Sequence, residues 1–469
     1  MVFSSVQFLV FFVVVYALYW RLDHNKQHWL LVASSYYFYA AWDWRFLGLI
    51  VLSTVVDYIV GARIHAADAP GLRKRWLVVS LAVNLGILGY FKYAGFFVTS
   101  FEDLLGGLGL EVSRTTLDIT LPVGISFYTF QTLSYSLDIY RRELEPTRSP
   151  VAFAAFVAFF PQLVAGPIVR AREFLGQLEA RKRFDPENLE KGLRRFLFGF
   201  LEKSFIADTL GVWVVDPVFA EPGQHSTGTL WLGVLAYSVQ IYADFSGYSS
   251  MAIGSARMLG FRLPENFAYP YLARDPSDFW RRWHMTMSRF FRDYVYISLG
   301  GNRAGPLKTQ RNLAATTLVS GLWHGAGWNF VAWGGLHGLY LAINQQMRKL
   351  RPPASRPSWV HGLAGWVVTH LGVCLAWVLF RAQGFDLARI YLQGLAGFSG
   401  EGRLELPPLV WLAFAAFVVD HIIGWQSEND PSFGTRPRPA WLRGLGYAAT
   451  VVFLFHTKQE VTPFIYFDF

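Results

Sequence analysis

The chain has 469 residues, of which 53% are hydrophobic and only 16% are charged, whereas soluble domains carry about 25% charged residues. Together with many apolar runs near bilayer length, this excludes a soluble protein and predicts an all-α polytopic membrane protein. The net charge of +9 does not indicate nucleic acid as a partner, because the basic residues cluster in loops where they meet membrane lipids. One cysteine, Cys374, excludes an intrachain disulfide, and we expect it to pack in a span.

The first apolar run, residues 2–20, predicts an uncleaved membrane span, because it has neither a basic start nor a small-residue cleavage site. Its first positive charges, Arg21 and Lys26, favour an outer N-terminus and a cytoplasmic first loop. Further spans are predicted at 28–44, 46–64 and 76–97. Residues 98–118 are acidic and contain Gly-Gly-Leu-Gly, which predicts an outer loop rather than a long helix.

Two central segments are predicted to lie against protein rather than lipid. Residues 121–142 are rich in Ser, Thr and Tyr and contain Gln131, which favours a protein interior or a cavity. Residues 151–169 contain the breaks Phe160-Pro161-Gln162 and Gly166-Pro167, and the stretch 170–203 that follows is strongly basic. Because such cations prefer the cytoplasm, we favour a re-entrant segment at 151–169 over a plain crossing.

The C-terminal half continues this alternation. Residues 250–310 are predicted to stay on the cytoplasmic side as amphipathic and re-entrant helices. The predicted crossings are 193–219, 227–249, 312–327, 329–347, 359–380, 408–425 and 441–456. The total is about twelve crossings in one domain over 1–469. No internal repeat is visible, which weakens a transporter built on inverted halves.

A histidine lies in the middle of the uncharged stretch 312–345. His324 is flanked by Trp323 and Gly325 in the sequence Ser-Gly-Leu-Trp-His-Gly-Ala-Gly. An imidazole at membrane depth is costly unless it has a partner or a chemical role. Two interpretations follow from the residues alone: a core histidine hydrogen-bonded to a neighbour, or a general base in a buried pocket.

Asp244 also has two interpretations. It lies in the apolar run Gln-Ile-Tyr-Ala-Asp-Phe-Ser-Gly-Tyr, where it either makes a helix-end or interhelical hydrogen bond or orients an imidazole, as the third group of a triad does. Two further histidines, His284 and His337, do not complete a zinc motif, so no metal site is predicted. We expect His337 to be structural.

The segment 275–303 alternates aromatic residues with arginines. Asp275 or Ser277 is suited to cap a helix there, and Gly300-Gly301 predicts a turn. One interpretation is an interfacial helix on anionic lipid. The other is a clamp for the phosphates and base of a donor from the cytoplasm. The predicted donor-binding residues are Arg281, Arg282, Arg289, Arg292 and Arg303.

Five separated blocks resemble the membrane-bound O-acyltransferase (MBOAT) family, and within it the branch of bacterial alginate O-acetylases. The blocks are 160–170, 243–271, 278–303, 320–338 and the terminal PFIYFDF at 463–469. The chain departs from the pattern at Ser250, where Asp is expected, and at Asp468, where Gln is more usual. These departures bear on the branch and on partner contacts rather than on the chemistry.

The resemblance implies an MBOAT fold, a ring of tilted transmembrane helices with re-entrant and amphipathic helices around a central tunnel. It implies that His324 is catalytic, as base or transient acyl carrier, and that His284 is the second signature position. From their places in the sequence, we expect Asp244 and Trp323 to support the site. The resemblance further implies a multi-pass protein of the Gram-negative bacterial inner membrane that has no permanently bound cofactor.

The implied reaction is polysaccharide O-acetylation. Acetyl-CoA on the cytoplasmic side is the implied donor, and periplasmic partners of the SGNH-hydrolase type receive the acetyl group for alginate or a similar exopolysaccharide. Two alternatives remain from the sequence. One is a proton-coupled transporter or channel with His324 as a proton relay, and the other is a member of the same family that acts on D-alanyl or lipid acyl groups.

Overall fold

The computed structural model describes residues 1–110, 117, 119–303, 305–350, 359–430, 439–457 and 464–465. Most of the terminal block 463–469, including Asp468, and part of the predicted loop 98–118 lie outside these residues. The chain forms two compact units. Unit 1 comprises Met1–Leu193 and Ala252–Pro264, and unit 2 comprises Arg194–Met251 and Glu265–Phe469.

The described elements are helices, and among the described residues the only β-type pairing is an isolated bridge between His225 and Gly402. The helices of the first half are α1 Val6–Tyr19, α2 His24–Asp43, α3 Leu47–Ala66, α4 Pro70–Leu88, α5 Ala94–Gly107, α6 Ile125–Tyr140, α7 Pro150–Ala158, α8 Phe160–Leu163, α9 Ala171–Glu179 and α10 Pro186–Leu201. The remaining helices are α11 Asp208–Leu210, α12 Asp216–Ala220, α13 Thr227–Met258, α14 Pro276–Arg282, α15 Met285–Phe290, α16 Pro306–His324, α17 Trp328–Leu350, α18 Trp359–Arg381, α19 Phe385–Leu395, α20 Pro408–Asn429 and α21 Ala440–Thr457. Short 3₁₀ turns lie at Trp44–Phe46, Pro222–Gln224 and Pro270–Leu272, and π-helical segments lie at Gly89–Tyr93, Glu202–Ala207, Gly211–Val215 and Phe291–Tyr296.

Four helical stretches in the described residues are long and apolar enough to cross a membrane. They are His24–Ala66, Pro70–Gly107, Trp359–Arg381 and Pro408–Asn429. They agree with the spans predicted from hydropathy, and α1 is a shorter apolar helix at the predicted first span. The total of about twelve crossings stays a prediction.

A buried carboxylate joins three helices of unit 1. Asp57 on α3 accepts hydrogen bonds from Ser80 Oγ at 2.5 Å, Ser136 Oγ at 2.7 Å and Asn84 Nδ2 at 2.7 Å. These partners come from α4 and α6, so polar side chains connect α3, α4 and α6 where hydrophobic attraction between helices is weak. The polar face predicted for 121–142 is explained by this packing, because α6 is buried on almost every side and Gln131 is fully enclosed.

The helix break predicted at Phe160-Pro161-Gln162 is present. α7 ends at Ala158, Phe159 is extended at ψ 105°, and α8 has four residues. Pro161 cannot donate a backbone hydrogen bond, and side chains satisfy neighbouring groups: Phe160 N donates to Ser35 Oγ at 3.1 Å, and Gln162 Nε2 donates to the Phe156 carbonyl at 2.9 Å. At about 1.5 Å per residue, both helices are too short to cross the bilayer. Short helices of this kind are what a re-entrant segment requires.

Two boundary predictions were wrong, and one helix was missed. Residues 98–107 are not a loop, since α5 continues to Gly107 and ends only at its two glycines. α13 does not stop at 249 but runs on to Met258, because no proline interrupts it. The amphipathic helix α19, Phe385–Leu395, was not predicted at all, since its mixed composition gives no hydropathy peak.

Candidate active site

His324 is the last residue of α16, at the tip of a helical hairpin formed with α17. Gly321 on α16 lies against Gly334 on α17, and a Cβ at Gly334 would overlap the carbonyl oxygen of Thr317. The helices therefore approach closely only because both positions are glycine. After His324 the chain turns extended at Gly325, where a Cβ would overlap the ring of Phe330. Helices α16 and α17 lie where the crossings 312–327 and 329–347 were predicted, and His324 is at the turn between them.

Aromatic rings enclose the His324 imidazole, which is 2% exposed. Trp323, Trp333 and Phe380 each meet it edge-on, with ring centroids 5.0, 5.0 and 5.3 Å away. Trp323, predicted to support the site, is thus one wall of this enclosure. Such a setting shields the imidazole from bulk water, as a buried base or nucleophile requires.

His284 lies beside His324, with the two ring centroids 6.5 Å apart. It is fully buried and separates α14 from α15 in a left-handed conformation, φ 40° and ψ 55°, that is rare for a residue with a side chain. Its Nδ1 is 3.0 Å from Oδ1 of Asn266. Burial lowers the pKa of His284 to about 3, so the imidazole is neutral.

An apolar cavity of about 220 Å³, here called the Arg292 cavity, adjoins the enclosure through Trp333. The π-helical segment Phe291–Tyr296 forms part of its wall, a backbone form that often occurs at functional sites. Its lining residues are Trp280, Met287, Ser288, Phe291, Arg292, Tyr296, Leu313, Thr316, Thr317, Ser320, Trp333, Gly334, His337 and Leu341. His337, expected to be structural, therefore also lines a cavity.

A second, polar cavity of about 600 Å³, here called the Lys203 cavity, adjoins the enclosure through Phe380. Its described lining residues are Lys203, Ala207, Asp208, Gly211, Val212, Asp216, Gln240, Asp244, Ala326, Gly327, Asn329, Phe330, Phe380, Arg381, Ala382, Gln383, Gly384 and Ile465. Two of the π-helical segments contribute to this wall as well. His324 thus packs against one ring from each of two cavities of contrasting polarity.

Three ionic side chains meet in the wall of the Lys203 cavity. Lys203 Nζ lies 2.8 Å from Asp208 Oδ1 and 2.7 Å from Asp244 Oδ1, and all three residues are buried. The other oxygen of Asp244 accepts the backbone N–H of Ile465 at 2.8 Å. Of the two interpretations of Asp244, these contacts support the interhelical one over orientation of an imidazole. They also attach part of the C-terminal block, Phe464–Ile465, to the site.

The five predicted donor-binding arginines do not share one environment. Arg292 lines the Arg292 cavity and pairs with Asp293 at 2.6 Å. Arg282 is held by Asp278 at 3.2 Å and Glu428 at 2.5 Å, which is a structural arrangement. The remaining three, Arg281, Arg289 and Arg303, do not line either cavity. The predicted cap is confirmed, since Asp275 accepts the backbone N–H of Asp278.

Two groups at the site escaped sequence reasoning, Asn266 and Lys203. Asn266 lies within the block 243–271, but no spacing rule connects it with a histidine 18 residues later. Lys203 is one of many cations in the basic stretch 170–203, and only the structure shows that it is buried. Among the described residues no cluster of three or more His, Cys, Asp or Glu side chains is arranged to hold a metal ion.

Comparison with known proteins identifies relatives of this chain. The family model described as MBOAT, membrane-bound O-acyltransferase family, matches residues 141–381. A probable alginate O-acetylase AlgI of Azotobacter vinelandii is 46% identical over 398 residues, covering 83% of this chain and 77% of the relative. The Pseudomonas putida protein of the same name is 39% identical over the full length of both. A peptidoglycan O-acetyltransferase of Helicobacter pylori is 37% identical, covering 80% and 75%.

Proposed function

Since this chain belongs to the membrane-bound O-acyltransferase family and is therefore an O-acyltransferase, we propose that it acetylates a bacterial exopolysaccharide, alginate or a similar polymer. The names of the relatives describe O-acetylation of alginate and of peptidoglycan, which are both polysaccharides. The observation that carries the proposal is the position of His324, a buried imidazole packed between an apolar and a polar cavity. The multi-pass architecture fits transfer at a bacterial inner membrane.

Each cavity suits one substrate. The Arg292 cavity is apolar and, at about 220 Å³, smaller than the about 300–1,000 Å³ of drug-sized ligand sites, so it favours a short acyl group such as acetyl. Arg292 supplies a cation for the phosphates of acetyl-CoA. The larger Lys203 cavity presents carboxylate, amide and guanidinium groups, which suit a hydroxyl-bearing acceptor. That acceptor is the polymer or a periplasmic partner of the SGNH-hydrolase type.

The chemistry requires one proton acceptor. Neutral His324 takes the proton of the acceptor hydroxyl as its oxygen attacks the thioester carbonyl carbon. The carbon–sulfur bond then breaks, and the leaving thiolate takes the proton from His324, so that an acetyl ester and free CoA result. In the covalent variant, a nitrogen of His324 first attacks the carbonyl carbon and expels the CoA thiolate. The acceptor hydroxyl then attacks the acetyl-imidazole, the carbon–nitrogen bond breaks, and the hydroxyl proton passes through His324 to the thiolate. The aromatic enclosure keeps water from hydrolysing the thioester.

Removal of the imidazole tests the proposal. His324→Ala should lower acetyl transfer from acetyl-CoA by at least about 10²-fold, the lower end of general base catalysis. His65→Ala, at an exposed histidine, is the matched control and should leave transfer unchanged. Acetyl content of the polymer is measured by NMR, together with the amount and melting temperature of the purified protein. Normal acetylation by a folded His324→Ala protein would refute the assigned role.

Membrane vesicles test which donor the protein uses, from which side of the membrane it takes the acetyl group, and whether it is a transporter instead. Inverted inner-membrane vesicles, which present the cytoplasmic face, should incorporate label from external [¹⁴C]acetyl-CoA, and right-side-out vesicles should not. Palmitoyl-CoA should be a poor donor because of the small Arg292 cavity. Solute flux in proteoliposomes without any acetylated product would favour the transporter instead, and transfer of D-alanyl groups would move the chain to another branch of the family.

A further inference from the structure

The side-chain amide of Asn266 has an orientation that its neighbours determine. Its Oδ1 is 3.3 Å from the backbone nitrogen of Thr286 and 2.8 Å from Thr286 Oγ1. A backbone N–H is always a donor, so the atom it meets must be the carbonyl oxygen and not the amino group. The amino group on the other side donates to Ser249 Oγ at 3.1 Å, which agrees with this assignment.

This orientation determines the proton position on His284. Nδ1 of His284 faces the same oxygen at 3.0 Å, and two acceptors cannot share a hydrogen bond, so Nδ1 must carry the hydrogen. In the neutral imidazole Nε2 then has the lone pair. The backbone supports the arrangement, because the Met285 N–H donates to the Asn266 carbonyl at 2.8 Å and helps hold the left-handed turn at His284.

Among the described rings that contact His284, the imidazole of His324 is titratable. The ring meets Phe245 on α13 at 4.6 Å, Phe267 at 6.4 Å, and Trp323 and His324 on α16 at 6.0 and 6.5 Å. Asp244, which precedes Phe245 on α13, is held by Lys203. A positive charge on His284 would therefore act mainly on His324 and would disfavour its protonation.

We propose that Asn266 is a positioning residue that holds His284 as an uncharged Nδ1–H imidazole, so that His324 alone of the pair takes the proton during transfer. An aspartate in its place would accept the same Nδ1–H but would also stabilise the imidazolium form of His284. An amide provides the hydrogen bond without that charge. This inference rests on the proposed acetyl transfer by His324.

The test is the pH dependence of transfer by the purified full-length protein with acetyl-CoA. In Asn266→Asp the new carboxylate should raise the pKa of His284, so that transfer requires deprotonation of His284 and the acidic limb moves to higher pH by about one unit or more, with activity recovering at alkaline pH. Ser249→Ala, which loses a hydrogen bond to Asn266 but leaves Oδ1 intact, should keep the wild-type limb even if total activity falls. An unchanged limb in an active Asn266→Asp protein would overturn the proposal.

A second measurement does not depend on the folding of any Asn266 variant. Nitrogen-15 NMR of histidine-labelled wild-type protein, with His284→Gln to assign the signal, reports the tautomer directly. We expect a protonated Nδ1 at His284 throughout the active pH range, and an Nε2–H tautomer or an imidazolium there would overturn the proposal. If the wild-type protein transfers no acetyl group, the proposed function fails; if it does and the tautomer is wrong, only this inference fails.

Discussion

Replacing Lys203 with methionine removes the positive charge from a buried cluster of three ionic side chains. Lys203 is 3% exposed and lies within 2.8 Å of both Asp208 and Asp244. Without it, two buried carboxylates lose their shared cation in the wall of the Lys203 cavity, and each must take up a proton or bind water. Breaking a buried ion pair by removing one partner costs about 3–5 kcal/mol, because the remaining charge is left uncompensated. We therefore expect Lys203→Met to be strongly destabilising.

Three companion variants separate lost charge from lost packing. Asp244→Asn keeps the Lys203–Asp208 pair and should cost less than Lys203→Met. The uncharged triple variant Lys203→Met/Asp208→Asn/Asp244→Asn should recover much of the loss, since replacing a whole buried pair is often near neutral. Lys74→Met, at an exposed lysine, is the control and should have no effect.

The assay is thermal unfolding of the detergent-solubilised protein, followed by the loss of the monodisperse peak in size-exclusion chromatography. Lys74→Met should be the most stable variant and Lys203→Met the least stable. Asp244→Asn and the triple variant should melt at temperatures between these two. If Lys203→Met has the melting temperature of the wild type, or if the triple variant is less stable than Lys203→Met, then charge pairing does not explain the stability of this cluster.

Two further predictions concern the hairpin and the donor. Gly334→Ala should push α16 from α17, because the new Cβ overlaps the Thr317 carbonyl, and should cost about 1–3 kcal/mol of stability and most of the activity. The control Gly335→Ala should be tolerated, because its Cβ meets only Leu318 Cδ2 at 3.5 Å. Equal melting temperatures of the two variants would refute this account of the hairpin. Arg292→Ala should raise KM for acetyl-CoA several-fold with little change in kcat, whereas Arg281→Ala, at a residue outside the cavity, should leave KM unchanged. If steady-state kinetics gave the larger rise in KM for Arg281→Ala, donor binding in the Arg292 cavity would be wrong.

Features that depend on local sequence were predicted well. The spans at 28–44, 46–64, 359–380 and 408–425 follow from the length and apolarity of single segments, and the structure has helices there. The helix break at Pro161 and the cap at Asp275 follow from the chemistry of one residue each. Boundaries were less accurate, as at Gly107 and Met258, because helix ends depend on packing as well as on local preference.

The sequence by itself determined the membrane class and the family, since hydropathy and motif blocks are properties of contiguous residues, and it singled out His324 as a candidate. Only the tertiary structure decided which groups surround that histidine. Asp244 is bound by Lys203, His284 is bound by Asn266, and rings from α17 and α18 enclose His324. The physical reason is that a hydrogen bond or ion pair depends on distances within about 4 Å between elements far apart in the chain, which neither composition nor periodicity encodes.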